Sequence, residues 1–352
     1  MLILFLVYKV NLIFLELIVY IVCRWLIRIN QLLCRYLLGK LYNKFIHIFT
    51  TLCYKMYKKI LCQFKNWIVN QQVTLAITNG TPETTRDITF NFINYLNLKV
   101  KHKKINKRFL EWFIGFTEGK GNFLVLNNKI YFNISVSIKD IQTLYYIKKE
   151  LGFGKVLING SINNASFYVT NYNNFYRLIA LFNGNICTIT KLEEFKIWLN
   201  IFNNQFNKKV ILIDRNLKPS YNTGWLSGFI DARGIFEGQG KKEFNNLKSP
   251  YLTFIILDNN VNDLSIINNV LNTRINKIKY NKFKNCWMIS LSTVKKLKIL
   301  ICYLKKYKLK TSKIMIFTKW CKIYNLILNK NHLSIEGLIK IHYLLKEINK
   351  LN

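Results

Sequence analysis

A nine-residue segment occurs twice in this chain. Gly115-Phe116-Thr117-Glu118-Gly119-Lys120-Gly121-Asn122-Phe123 returns as Gly228-Phe229-Ile230-Asp231-Ala232-Arg233-Gly234-Ile235-Phe236, a period of about 113 residues. Self-similarity over that distance means two copies of one folding unit. Each copy follows an apolar run that holds a Trp, Trp112 or Trp225, and reads as a short helix. Strand-like segments come next, at 123–126 and 130–136 in the first copy and at 235–238 and 251–257 in the second. A helical run then spans 141–151 or 262–271. Two more strands follow, 155–158 with 167–170 and 277–280 with 286–291, and helices close each half. The order αββαββα therefore occurs twice. The economical architecture is an α/β (α+β) protein of two halves related by a pseudo-twofold axis.

Charge narrows the partner. The 352 residues include 53 Lys and Arg against 17 Asp and Glu, a formal net charge of +36. Self-repulsion on this scale opposes a compact state unless a polyanion neutralises it. Nucleic acid is the first expectation and an anionic membrane surface the second. The sequence also favours Lys, Asn, Ile, Tyr and Phe, residues with AT-rich codons, which suits an organellar genome. Such codon bias raises Asn as much as Lys, and does not remove acidic residues. A wholly disordered chain is excluded, because 51% of residues are hydrophobic and 15% aromatic. The eight Cys form no CxxC pair and His numbers only 4, so no zinc-finger pattern is present. The cysteines read as small buried hydrophobes.

Ahead of the repeat lie two further segments. Residues 1–73 are expected to form a hydrophobic, basic helical extension, and 74–108 an extended polar and basic linker with a turn at Asn79-Gly80-Thr81-Pro82. Residues 1–23 are long enough to span a bilayer, but Lys9 and Glu16 oppose a clean span. Three readings fit the extension: a helix packed on a partner, a membrane-associated segment, and a translated remnant. No small-residue cleavage site follows it, which argues against a secretory signal. The linker ends in a basic run, Lys101, Lys103, Lys104, Lys107 and Arg108, expected either to contact phosphate or to be a solvated charge run. The first repeated half is assigned to 109–208 and the second, with closing helices, to 209–352.

The two motifs, their spacing and the order of elements resemble the LAGLIDADG homing endonuclease and intron maturase family in its two-motif, single-chain form. The resemblance covers about residues 109–345, and the segment 79–90 more loosely resembles the lead-in of mitochondrial intron-encoded members. It implies two motif helices packed at the pseudo-twofold axis, with Gly115, Ser227 and Gly228 allowing close approach. It also implies two four-stranded sheets forming a saddle over nucleic acid. In the family an acid before the final Gly of each motif binds divalent metal, which activates water and stabilises the leaving oxygen.

Here the residues before the final Gly are Lys120 and Arg233. A +1 side chain about 5 Å from a +2 ion repels it by roughly 6–7 kcal/mol at an effective dielectric of about 20. The acid it replaces would attract the ion by a similar amount, so both metal positions are degenerate. Glu118 and Asp231 stand two residues earlier, about 200° around a helix, and are expected to serve in local hydrogen bonding. Ile138 stands where the family often has an active-site Gln, and the second-half counterpart lies between Asp258 and Asn259.

The expected function is therefore binding without cleavage, with no catalytic residue, no metal and no cofactor. The expected partner is structured RNA, a group I intron or ribosomal RNA, with ribosomal proteins as further candidates. Contacts are expected from Lys101, Lys103, Lys104, Lys107, Arg108, Lys120, Arg233, Lys241 and Lys242. DNA is the lesser expectation. The Lys-rich segment 295–322, with Tyr303, Tyr307, Phe317 and Trp320, fits such a surface and also reads as an amphipathic helix pair closing the core, and both can hold at once. A monomer in the mitochondrial matrix, with an inner-membrane association through residues 1–23, completes the expectation. An active DNA endonuclease, which alone would call for divalent metal, and a membrane-tethered interaction protein are the rival readings.

Overall fold

The computed structural model describes residues 90–98, 106–240, 250–271, 278–281 and 285–351. They lie within one compact unit, Pro82–Asn352. The apolar segment 1–73, the turn at 79–82, Lys101, Lys103, Lys104, Lys241 and Lys242 lie outside the described residues, and with them the membrane reading. Among the described residues no helix is long and apolar enough to cross a membrane.

The short helix α1 (Ile93–Asn97) precedes the first half. That half runs α2 (Lys107–Lys120), β1 (Gly121–Leu126), β2 (Lys129–Ser137), α3 (Ile141–Leu151), β3 (Lys155–Asn159), β4 (Asn164–Val169), α4 (Tyr172–Phe182) and α5 (Ile189–Phe206). The second half repeats the order as α6 (Trp225–Arg233), β5 (Gly234–Gln239), β6 (Tyr251–Asp258), α7 (Val261–Val270), β7 (Ile278–Asn281), β8 (Cys286–Leu291), α8 (Val294–Lys306) and α9 (Lys313–Leu328). A last helix, α10 (Ile335–Leu351), follows. Each half holds one antiparallel four-stranded sheet, in the orders β1-β2-β4-β3 and β5-β6-β8-β7.

The registers follow from alternation and from one turn. Burial alternates along β4 and β6, the period-two signature of a sheet with one covered face. Asn127 and Asn128, at φ 49° and 59°, link Leu126 to its partner Lys129 in a two-residue hairpin. Two consecutive positive-φ residues make a turn whose twist matches the flanking strands, and Asn tolerates that conformation.

The same aromatic cluster covers each sheet. Phe123 packs against Phe132 at 5.2 Å and Trp198 at 5.7 Å between ring centroids. Its counterpart Phe236 packs against Phe254 at 5.2 Å and Trp320 at 5.5 Å. Full burial of such a side chain stabilises by about 1.5–3 kcal/mol. The indole of each closing-helix Trp also donates to a strand carbonyl, Trp198 to Tyr131 and Trp320 to Glu237, both at 2.9 Å.

Three readings of the sequence are sharpened here. The aromatics of 295–322 are core: Tyr303, Tyr307, Phe317 and Trp320 are buried, while Lys305, Lys306, Lys308 and Lys322 face solvent. The helix-pair reading thus accounts for the aromatics. The stretch before the repeat is not wholly extended, since Phe90, Phe92 and Tyr95 are buried around α1. Asn185 fixes that segment by accepting from the Asn91 amide at 2.8 Å and donating to the Asn91 carbonyl at 2.7 Å. Finally, counted back from the helices that start at Ile141 and Val261, Ile138 matches Asp258, whereas the strand register continued past β2 points to Asn260, because a turn at Ile138–Asp140 separates strand from helix only in the first half. Of the cysteines, Cys187 and Cys286 are buried, Cys302 and Cys321 are half-buried, and all four are free thiols.

Candidate nucleic-acid interface

The two motif helices, α2 and α6, meet with almost no separation. A Cβ on Gly115 would lie 2.0 Å from the Trp225 carbonyl oxygen, and one on Gly228 would lie 1.9 Å from that of Trp112. The relation is reciprocal, as a twofold axis between the helices requires. One turn on, a Cβ at Gly119 would lie 2.3 Å from the Cβ of Ala232. Ser227 is buried as well, but its amide donates to the Tyr303 hydroxyl on α8 at 2.8 Å. The close approach rests on the glycines.

Glu118 and Asp231 form a second reciprocal pair. Glu118 accepts from the indole of Trp225 at 2.7 Å, and Asp231 from the indole of Trp112 at 2.8 Å. Glu118 also accepts from the amides of Cys187 (3.1 Å) and Thr188 (2.6 Å), at the start of α5. Asp231 accepts from the amides of Lys310 (2.7 Å) and Thr311 (3.2 Å) and from the Thr311 hydroxyl (2.6 Å), just before α9. Each acid therefore ties its motif helix to the opposite one and to the backbone amides that lead into its own closing helix. These bonds bridge distant segments, which corrects the expectation of local bonding at the helix end. Burial pushes Glu118 up to about 7, against the pull of its hydrogen bonds, and raises Asp231 for the same reason.

A crossed pair of acids completes the scaffold. Asp263 on α7 accepts from the Ile189 amide of the first half at 2.8 Å. Asp140, before α3, accepts from the Ser312 amide of the second half at 2.7 Å. Each closing helix thus begins on one carboxylate from each half.

Lys120 and Arg233 stand at the C-terminal ends of the motif helices, on the wall of a cavity of about 660 Å³. Lys139, Lys191 and Lys313 line it with them, together with Asp140 and Glu194. Arg233 Nε donates to the Gly119 carbonyl at 2.6 Å and lies 4.0 Å from Asp258. Lys191, nearly buried, donates to the Gly121 carbonyl at 2.7 Å and to Glu194 at 2.6 Å. Lys313 donates to the Ile230 carbonyl at 3.2 Å. Desolvation brings its ammonium down to about 8, with Asp231 opposing and Lys120 reinforcing the shift. Lys120 is lowered too, first by desolvation, with Asp140 opposing and Arg233 and Lys139 adding. Its side chain still reaches solvent.

A divalent metal does not fit this donor set. Cationic Lys120 and Arg233 occupy the two helix ends, Asp140 is bonded to a backbone amide, and Glu194 is held by Lys191. Among the described residues no group of three His, Cys, Asp or Glu is arranged to hold one.

The predicted contact residues divide. Lys120 and Arg233 come together, whereas Lys107 and Arg108 begin α2 and lie at its far end. Lys191 and Lys313 were missed by sequence reasoning, because each stands in the first turn of a closing helix within a run of similar composition. Their only signal is equivalent placement in the two halves.

This geometry is that of a two-motif saddle built on paired helices. Its structural likeness includes the meganuclease I-SmaMI bound to uncleavable DNA, with a TM-score of 0.59, 20% identity, and coverage of 69% of this chain and 99% of that one. The family model for the LAGLIDADG endonuclease matches residues 113–202 and 226–324. The chain belongs to this family. It is 36% identical over 243 residues to the probable intron-encoded endonuclease 4 of Neurospora crassa, covering 68% of this chain and 44% of that protein. It is 27% identical over 242 residues to the intron-encoded RNA maturase bI4 of Saccharomyces cerevisiae, covering 63% of this chain and 35% of that one. It thus spans less than half the length of either relative.

Proposed function

We propose that this protein binds structured RNA in mitochondria without cutting nucleic acid, in the manner of an intron maturase. The observation that carries the reading is the cationic floor: Lys120 and Arg233 end the motif helices, and Lys139, Lys191 and Lys313 gather around the same cavity. Acids at the two helix ends would hold metal, whereas bases there hold phosphate by charge-assisted hydrogen bonds. The net charge of +36 supports a large folded RNA, recognised by shape and phosphate more than by base edges.

The kinship with an intron-encoded RNA maturase supports an intron as the RNA. A ribosomal RNA with its proteins uses the same chemistry and is the alternative outcome of the test. Codon-biased composition and intron-encoded relatives support the mitochondrial assignment, and two internal halves support action as a monomer.

Crosslinking the native protein in its organelle and sequencing the attached RNA tests the reading. Intron sequence is the expected result, and ribosomal sequence would move the protein into that assembly. Specific double-strand cleavage of DNA by the unaltered chain with magnesium or manganese would overturn the non-cleaving reading.

A further inference from the structure

A second cavity, of about 290 Å³, lies where the motif helices begin. Arg108 and Lys120 are twelve residues apart on α2, so at 1.5 Å per residue the two sites are separated by about 18 Å. Four cations line this cavity, Arg108, Lys306, Lys308 and Lys310, and no acid is among its lining residues. The cations gather over aromatic rings. The Arg108 guanidinium lies 5.7 Å, and the Lys306 ammonium 5.2 Å, from the ring centre of Tyr307. The Lys310 ammonium lies 5.5 Å from Trp112 and 5.2 Å from Tyr146. Ser227 adds an independent sign. It is 1% exposed, lines the cavity, and its Oγ has no hydrogen-bond partner among the described residues. A buried hydroxyl without a partner is costly. Asp231 and Glu150 act on Lys310, and Glu111 on Arg108, from outside the lining, so the cations still outnumber the acids near the cavity and favour an anion in it.

We propose that this cavity binds one nucleotide unit of a single-stranded RNA segment. Its phosphate lies among Arg108, Lys306 and Lys308, its base lies against the aromatic wall, and Ser227 Oγ hydrogen-bonds to it. The volume is near the lower end of small-ligand pockets, about 300 Å³, which suits one nucleotide. Arg108, Lys306 and Lys308 are exposed at the rim, so cations continue beyond one phosphate, as a strand requires and a free mononucleotide does not. The site is separate from the saddle floor and does not depend on it.

The test uses the full chain, a short fluorescein-labelled single-stranded RNA, and AMP as the free-nucleotide probe. Lys306→Ser with Lys308→Ser changes two exposed side chains and leaves the core intact. Loss of both lysines from the one phosphate is expected to weaken RNA binding at least about tenfold and to reduce the salt slope by up to about 0.7. Ser227→Ala is expected to weaken binding without lowering thermal stability. RNA carrying 4-thiouridine is expected to photocrosslink to the 303–310 peptide. Unchanged affinity and slope in the Lys306/Lys308 variant would overturn the proposal. So would saturable AMP binding at this site with no RNA strand bound there, which would assign the cavity to a free nucleotide. The Lys120→Ala/Arg233→Ala variant, run in parallel, reports on the saddle floor, so failure of one site is distinguishable from failure of the other.

Discussion

Replacing Lys120 and Arg233 together by Ala separates phosphate-binding bases from mere remnants of a lost metal site. Their surroundings set the size of the effect. Arg233 commits Nε to the Gly119 carbonyl and lies only 4.0 Å from Asp258, so its Nη groups are what it can offer a phosphate. Lys120 is exposed beside the same cavity. Neither can fall back on Glu118 or Asp231, whose oxygens are held by amides and indoles in the core. If each base holds a phosphate, each contributes on the order of 1–3 kcal/mol as a charge-assisted hydrogen bond. Two lost contacts also reduce the slope of log affinity against log salt, by about 1.4 on the single-strand scale and 1.8 on the duplex scale. Between 50 and 200 mM salt the variant should therefore lose about tenfold less affinity than the native chain does. The assay is a filter-binding or anisotropy titration of a structured RNA at both salts, with thermal melting as the control for folding. Unchanged affinity with an unchanged slope would refute the argument and leave the two bases without a role in binding.

Gly228→Ala would set a Cβ 1.9 Å from the Trp112 carbonyl, so the motif helices must part. The expected loss is at least about 1–3 kcal/mol by denaturant unfolding, and native stability in the variant would contradict the packing. Glu118 titrates near 7 in the folded chain, above its ordinary 4.5. The folded state therefore holds a proton that the unfolded state has released between those values, and this group lowers stability as pH rises from about 4.5 to 7, with no further change above. Glu118→Gln should flatten that dependence in unfolding curves taken across the window, and an unaltered curve would deny the burial effect. Lys313, brought down to about 8, should shed its charge as pH rises past that value. RNA affinity should then fall between pH 7 and 9, and Lys313→Arg should suppress the fall. Equal pH dependence in both chains would exclude Lys313 from the phosphate contacts.

The fold was largely legible because it is written twice. Alternating strands and a repeated glycine motif gave the element order, and the expected helix at 141–151 and strand at 286–291 match α3 and β8. What stayed hidden was long-range pairing. Trp225 meets Glu118 across 107 positions, and Asp140 meets Ser312 across 172. No local pattern reports such contacts. The aromatics of α8 and α9 illustrate the limit from the other side. A stripe of Tyr, Phe and Trp among lysines has the same composition whether it stacks on bases or fills a core, and only the fold placed it inside.

The division of labour among the acids explains how bases can end both motif helices while the scaffold still stands. The motif's two inner acids, Glu118 and Asp231, are buried staples that join both motif helices to the closing helices. Removing either would leave an indole and two amides without acceptors in the interior, a cost of about 1–3 kcal/mol for each unsatisfied group. The outer positions, Lys120 and Arg233, line a cavity rather than the core. Exchange of charge there leaves the staple network intact. Stability therefore constrains the residue that looks like a spare acid and leaves the outer position at the helix end free to change. On the proposed function, an RNA phosphate would favour a base at that position without any change to the core.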